Sequence, residues 1–250
     1  MDYELIEKTK NKPVTSPYRN MFYMVVGICI VCIWMGGMIL QKYTPSDEHM
    51  SSPEFIATET ADLLETYPEF ENWKRLADRE IAMWLPKSFQ TYKLEDFVEL
   101  VELGSEDLPS ELDPFIDILR NDPDIVRFVS YDLSTLFGYP NNVNIMRENG
   151  FAMTLDRYTD ASIKNLPSTA IVVQQPVDTS VGDYQAKRLV LTYDAFGVDF
   201  AAIDYIIAKN GYFYTVTFGT LSENLDEMMV VTEKAMSTIR IYNHIPDQND

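Results

Sequence analysis

The chain has 250 residues, of which 39 are acidic and 20 basic, giving a formal net charge of −19 and an isoelectric point near 4.4. Such a surface repels polyanions, which argues against nucleic acid and against lying flat on anionic lipid. Two cysteines and two histidines are the whole supply of those residues.

Residues 1–20 form a short tail containing Lys8, Lys10, Lys12 and Arg19, and the run that follows, from Met21 to Leu40, has no charged side chain. Twenty helical residues at ~1.5 Å each cover ~30 Å, the thickness of a bilayer's hydrocarbon core, so residues 21–41 are predicted to cross a membrane once. Lys42 is the only cation between that run and Trp73. The positive-inside bias then puts the N-terminus in the cytoplasm and everything after the span outside. Tyr18, Tyr23 and Tyr43 lie near the two ends, where amphipathic rings favour the headgroup layer. A cleaved signal peptide is the rival reading. It fits less well because the apolar run exceeds the usual ~7–15 residues and no small-x-small site follows it. Cys29 and Cys32 have C-x-x-C spacing, but inside an apolar helix a thiolate is disfavoured and they act as small apolar residues. The outer part is left without a disulfide.

Beyond Lys42 lie 15 basic and 36 acidic residues, a net charge of −21. That excess either serves solubility or favours a cationic partner. Residues 42–72 read as a polar linker followed by an amphipathic helix, with Ile56, Thr60, Leu63, Leu64 and Tyr67 at helical spacing, ending near Pro68. This helix is either a stalk or a segment packed on the domain that follows. A compact domain is expected over residues 73–242, with residues 243–250 as a polar tail.

Within the domain, Trp73 to Pro86 reads as two short strands around Ala77 to Arg79. Leu94, Phe97, Val98 and Val101 mark one helix face, and Leu112, Phe115, Ile116 and Leu119 a second. Strands are expected at Ile125–Leu133 and Asn142–Arg147, then a helix capped by Thr154 that presents Leu155, Tyr158, Ser162 and Leu166. Four strands follow, at 168–177, 184–193, 198–208 and 212–219. The last two are joined by Lys209-Asn210-Gly211, in which Asn-Gly is a pair suited to a type I′ turn. In strand 198–208, Phe200, Ala202 and Ile206 take one face, and Ala201, Ile203, Tyr205 and Ile207 the other, so both faces should be covered. Ser222 opens a final helix whose buried stripe is Leu225, Met228, Met229, Thr232 and Met236. Helices and antiparallel strands with short connections, without regular βα alternation, indicate an α+β domain with helices on both faces of an antiparallel sheet.

The order of these elements resembles the PsbP-like fold family. The features that carry the likeness are the Trp73 hairpin with Leu85-Pro86, two helices, a strand with Phe128 and Asp132, and the segment Asn142-Val143-Asn144-Ile145. A helix, the hairpin with Tyr205, Gly211, Tyr214, Thr217 and Phe218, and a last helix complete it. That family includes the photosystem II extrinsic protein PsbP, a yeast Ran-binding protein, and bacterial exported proteins and lipoproteins. The resemblance implies an α/β/α sandwich over about two-thirds of the chain and a mainly non-catalytic role in binding or assembly. It carries over no photosystem role, because the photosystem subunit lacks the uncharged anchor.

Histidine stands only at His49 and His244, outside the expected folded core, so histidine triads, histidine metal sites and cysteine nucleophiles are excluded from the domain. Nucleotide-binding, nucleophile-elbow and EF-hand motifs are absent from the sequence, and no cofactor or metal site is expected. Glu99, Glu102, Glu106 and Asp107 read as a solvated helix face. Asn142 and Asn144 alternate on one strand and point to one side, opposite Val143 and Ile145. They serve either turn closure and edge hydrogen bonding, or polar ligand contact at the sheet edge. Tyr212, Tyr214 and Phe218 share one face, as core under a helix or as a contact platform. Two functions fit: a membrane-anchored extracytoplasmic binding or assembly module on the outer face of a bacterial plasma membrane, acting through a protein partner or a small apolar ligand, or a hydrolase with two acids facing each other as in glycosidases.

Overall fold

The computed structural model describes residues 70–77, 80–92, 125–132, 134, 139–150, 153–166, 169–195 and 197–242. The expected span at 21–41, the amphipathic segment ending near Pro68, the helix faces of Leu94–Val101 and Leu112–Leu119, and the tail at 243–250 lie outside the described residues. Among the described residues no helix is long and apolar enough to cross a membrane.

Ten strands and two α-helices are described in chain order. They are β1 (Trp73–Ala77), β2 (Ile81–Pro86), β3 (Phe89–Tyr92), β4 (Val126–Asp132), β5 (Asn142–Asn149), α1 (Leu155–Lys164), β6 (Ala170–Val181), β7 (Tyr184–Ala195), β8 (Val198–Lys209), β9 (Tyr212–Leu221), α2 (Leu225–Ser237) and β10 (Arg240–Ile241). Seven strands form one sheet in the order β3-β4-β5-β9-β8-β7-β6, antiparallel throughout. A second sheet, β1-β2-β10, joins the first hairpin to the last strand.

The large sheet has a different layer on each face. On one face, Ile203, Tyr205 and Ile207 of β8 join Tyr214, Val216 and Phe218 of β9 and Met228, Ala235 and Met236 of α2 in an apolar core. The small sheet closes this layer with Leu76, Ile81, Met83, Leu85 and Ile241. Val216 and Phe218 are fully buried, and each such side chain contributes about 1.5–3 kcal/mol by leaving water. On the opposite face, Phe200, Ala202 and Ile206 of β8 pack with Leu189, Leu191 and Tyr193 of β7, Phe213 of β9 and Tyr158 of α1. The division of β8 into two apolar faces is the one its alternation predicts, and the helices lie on both sides of the sheet as expected.

Helix α1 starts where Thr154 accepts a hydrogen bond from Arg157 N at 3.3 Å. It is held to the sheet by Lys187 of β7, whose Nζ reaches Asp156 on the helix and Asp178 on β6 at 2.6 Å each. The last helix differs slightly from expectation: Ser222–Asn224 is a 3₁₀ turn and α2 proper begins at Leu225. Its buried residues, Met228, Thr232, Ala235 and Met236, include three of the five in the predicted stripe, with Leu225 and Met229 partly buried against the same core.

Strands β3 and β10 are new relative to the sequence reading, and the Trp73–Pro86 hairpin belongs to the separate three-stranded sheet. Four residues and two residues are too short for alternation to register, and β10 exists through non-local partners. Tyr184 Oη accepts from Ile241 N at 3.0 Å and donates to Ile241 O at 3.2 Å, while Tyr242 N donates to Glu80 O at 2.7 Å. Phe70 packs edge-on against Trp73 and Trp84, and Lys234 of α2 lies over the Phe70 and Trp73 rings at 4.5 and 4.8 Å.

The β8–β9 turn has φ of +53° at Asn210 and +80° at Gly211, the two positive angles of a type I′ turn. A β-branched side chain at Gly211 forces its Cβ against the backbone in that conformation. Gly211→Val is expected to lower unfolding free energy by about 1 kcal/mol or more in urea denaturation. An unchanged midpoint would show that the turn tolerates negative φ.

Candidate functional site

The face of the large sheet that carries α1 is apolar at β7 and β8 but turns polar toward its middle. Register explains how: Asn144 of β5, Thr217 of β9 and Asp204 of β8 stand opposite one another in one cross-strand row. Asn142, Gly219 and Ala202 form the next row. Asn142, Asn144 and Thr217 have no exposed surface and Asp204 retains 4%. A strand bears its side chains alternately, so these groups share one face while Val143, Ile145, Val216 and Ile203 point into the α2 core.

Asn142 has an unusual position within this strip. A Cβ placed on Gly219 would lie 2.7 Å from Asn142 Nδ2 and 2.9 Å from its Oδ1. The carboxamide therefore lies across the glycine, and the absence of a side chain at residue 219 is what admits it. Neither its Oδ1 nor its Nδ2 has a hydrogen-bond partner, and Thr217 Oγ1 and Asp204 Oδ1 have none beyond the contact between their own two side chains. Leaving a buried polar atom unmatched costs about 1–3 kcal/mol, so the strip is expensive to fold.

Two expectations for Asn142 and Asn144 are corrected by this arrangement. Strand β5 is the third of seven, between β4 and β9, so neither asparagine is at a sheet edge. Closure of the β4–β5 loop falls to the neighbouring Asn141: its carbonyl accepts from Asp132 N at 2.8 Å, and its side chain accepts from Thr220 Oγ1 at 2.7 Å. Asp132 in turn accepts from Ser134 N at 3.0 Å.

Tyr212 and Tyr214 do not join the asparagines. They point to the opposite face, where Tyr214 is buried in the α2 core and Tyr212 is partly buried beneath the Arg147 guanidinium at 4.9 Å. Arg147 also pairs with Glu80, tying β5 to the start of β2. Asp204 and Thr217 are the site residues that sequence reasoning missed. The signal was present, since Asp204 is the one charged side chain inside Phe200–Ala208.

Burial dominates the electrostatics. It pushes the Asp204 carboxyl up to about 6, with the adjacent Thr217 hydroxyl pulling weakly the other way. Burial also raises the Tyr158 hydroxyl well above its usual range, helped by the nearby Glu148 carboxylate. Tyr158 hydrogen-bonds Thr215 and Glu148, and its ring packs 4.0 Å from Phe213. Glu148 and Asp204 share this face, yet their rows are four residues and two strands apart, ~14 Å along the strands and ~10 Å across them. They do not converge as a pair of acids across one bond must.

No protein-family model matches the sequence, and no curated protein matches it. Solved structures similar to this one include a protein from Bacteroides thetaiotaomicron VPI-5482, with TM-score 0.43 and 9% identity over 69% of this chain. The chain spans half the length of that protein. Cyanobacterial PsbP from Synechocystis sp. PCC 6803 is similar at TM-score 0.42 and 11% identity, over 68% of this chain and 93% of its own. The Saccharomyces cerevisiae Ran-binding protein Mog1p is similar at 0.41 and 10%, over 68% and 95%. These last two are PsbP-like folds.

The carboxyl of Asp204 gives the fold a defined pH dependence. With a folded pKa of about 6 against ~3.9 in the unfolded chain, the native state holds this proton to higher pH than the unfolded state does. Its contribution is therefore full below pH ~4, declines as pH rises to about 6, and stays lost above. The gap between the folded and unfolded values is worth about 3 kcal/mol. Asp204→Asn should flatten this decline and be the more stable protein at neutral pH by up to that amount, measured by urea denaturation across the pH range. Parallel curves for the two proteins would mean that Asp204 is solvated.

Proposed function

We propose that this protein is a binding or assembly module anchored in a bacterial plasma membrane by residues 21–41, with its N-terminus cytoplasmic and its folded domain outside. It acts through contacts with a protein partner or a small ligand and has no turnover of its own. The observation that carries the binding role is the buried strip of Asn142, Thr217 and Asp204, in which the Asn142 carboxamide finds no partner inside the fold and Thr217 Oγ1 and Asp204 Oδ1 have none beyond their own contact. Fold stability alone disfavours such groups, and sites that break local rules at a cost are characteristically functional. The uncharged run from Met21 to Leu40, preceded by four cations, supports the anchor and its direction.

The absence of histidine and cysteine between Lys74 and Tyr242 leaves carboxylates, tyrosines and lysines as the only candidates for acid–base or nucleophilic work. Among the described residues, Glu148 and Asp204 of the polar face do not meet, so their geometry does not favour the hydrolase reading.

Crosslinking in the native membrane, followed by identification of what co-purifies, is the direct test of the module. A reproducible partner lost on Asn142→Ala supports it, and an unchanged set of partners with the strip disrupted removes the strip from the role. For topology, a cysteine introduced at Asn249 should react with a membrane-impermeant thiol reagent on intact cells and one at Asn11 should not, with the reverse order inverting the orientation. Purified protein offered ester, peptide, phosphate and glycoside substrates should match a denatured control. Turnover that vanishes when one buried carboxylate is replaced, with folding intact, would restore an enzymatic function.

A further inference from the structure

We propose that Asn142 Oδ1, Thr217 Oγ1 and Asp204 Oδ1 form a receptor for a primary ammonium group, the head of a small organic amine. The proposal rests on reading the strip as a binding site and specifies what it takes. The three oxygens come from three neighbouring strands, β5, β9 and β8, and occupy two adjacent rows of one sheet face. Each belongs to a side chain at least nine-tenths buried; Asn142 Oδ1 has no hydrogen-bond partner, and Thr217 Oγ1 and Asp204 Oδ1 have none beyond the contact between their own two side chains. Asn142 extends over Gly219, so its carboxamide is displaced from β5 toward the β9 and β8 side chains.

The chemistry of the set selects its occupant. A primary ammonium has three N–H donors and one positive charge. Three oxygen acceptors, one of them on a carboxyl, match that group in number and in sign. A divalent metal ion suits the set less well, because tight calcium sites gather several carboxylates, and no cluster of three acidic, histidine or cysteine side chains occurs among the described residues. The groups that hold the fold together are otherwise engaged. Asn141 closes the β4–β5 loop, Lys187 is taken up by Asp156 and Asp178, and Tyr158 bonds Thr215 and Glu148. The formal charge of −21 beyond Lys42 raises the local concentration of any cation arriving at this domain.

Proton and amine compete for the same carboxyl, which supplies a readout beyond simple affinity. Asp204 takes up its proton near pH 6, so binding weakens below that point. The other titratable groups on this face or packed against it among the described residues are Tyr131, Tyr139, Glu148, Asp156, Tyr158, Asp178, Lys187 and Tyr193.

The test uses the full-length protein in detergent, with ethylammonium chloride as probe and tetramethylammonium and potassium chlorides at equal concentration as controls. Thermal unfolding midpoints are followed well above and well below pH about 6. Ethylammonium alone should raise the midpoint at the higher pH, and the effect should fade at the lower. Asp204→Asn should weaken the apparent affinity about tenfold or more, and Thr217→Val, which keeps the side-chain shape and the carboxyl, by a few-fold. Thr217→Val decides the matter if Asp204→Asn does not fold. Equal shifts with all three salts, no shift with ethylammonium, or unchanged affinity in the folded variants would overturn the assignment. A partner captured by crosslinking alongside such a result would leave the broader binding role standing, so the two readings fail separately.

Discussion

The pairing of β8 with β9 is the constraint on which the rest of the structure depends. Both strands are buried over most of their length on both faces, with β5 and β4 added on one side and β7 and β6 on the other. Asn210 and Gly211 set their register through a two-residue turn. A slip of one residue would exchange the faces of a strand, driving Asp204 into the apolar layer under α2 and Ile203 out of it. The positions of Asp204 and Thr217 thus follow from one turn and from the alternation of two strands.

The two faces of this sheet are built on different terms. Beneath α2 the layer is close to uniformly apolar, with β2 and β10 sealing it. Beneath α1 the same strands offer an aspartate, an asparagine and a threonine whose hydrogen bonds are incomplete. A core selected only for stability would place apolar groups at these positions, which often costs nothing or gains stability. Gly219 sharpens the point, since a larger residue there would fill the place that Asn142 occupies. The strip is a coordinated feature of at least three strands.

Much of this architecture was legible in the sequence. The β6–β9 succession, the two-faced pattern of β8, the Asn-Gly turn and the Thr154 cap each rest on local rules that tertiary contacts reinforce, and so does the stripe of α2. What escaped was non-local. Strands β3 and β10 are too short to announce themselves, and the interior place of β5 is fixed by a partner about seventy residues further along the chain. The site was half visible for the same reason. Alternation put Asn142 and Asn144 on one side of a strand, but only the pairing across β9 brings Asp204 beside them and leaves Tyr212 and Tyr214 on the far face.

The union of β2 with β10 bears on how the protein is made. Trp84 N donates to Thr238 Oγ1 at 2.9 Å, and Ile239 and Ile241 enter the same core as Leu76 and Met83, across more than 150 residues of sequence. The earliest described hairpin therefore waits for Arg240 and Ile241 before its sheet is complete. Contacts of such long range are slow to form because the intervening chain must first be ordered. During synthesis the Trp73–Pro86 strands would leave the ribosome with an unfilled edge and an uncovered apolar face, the condition in which chaperones are most needed.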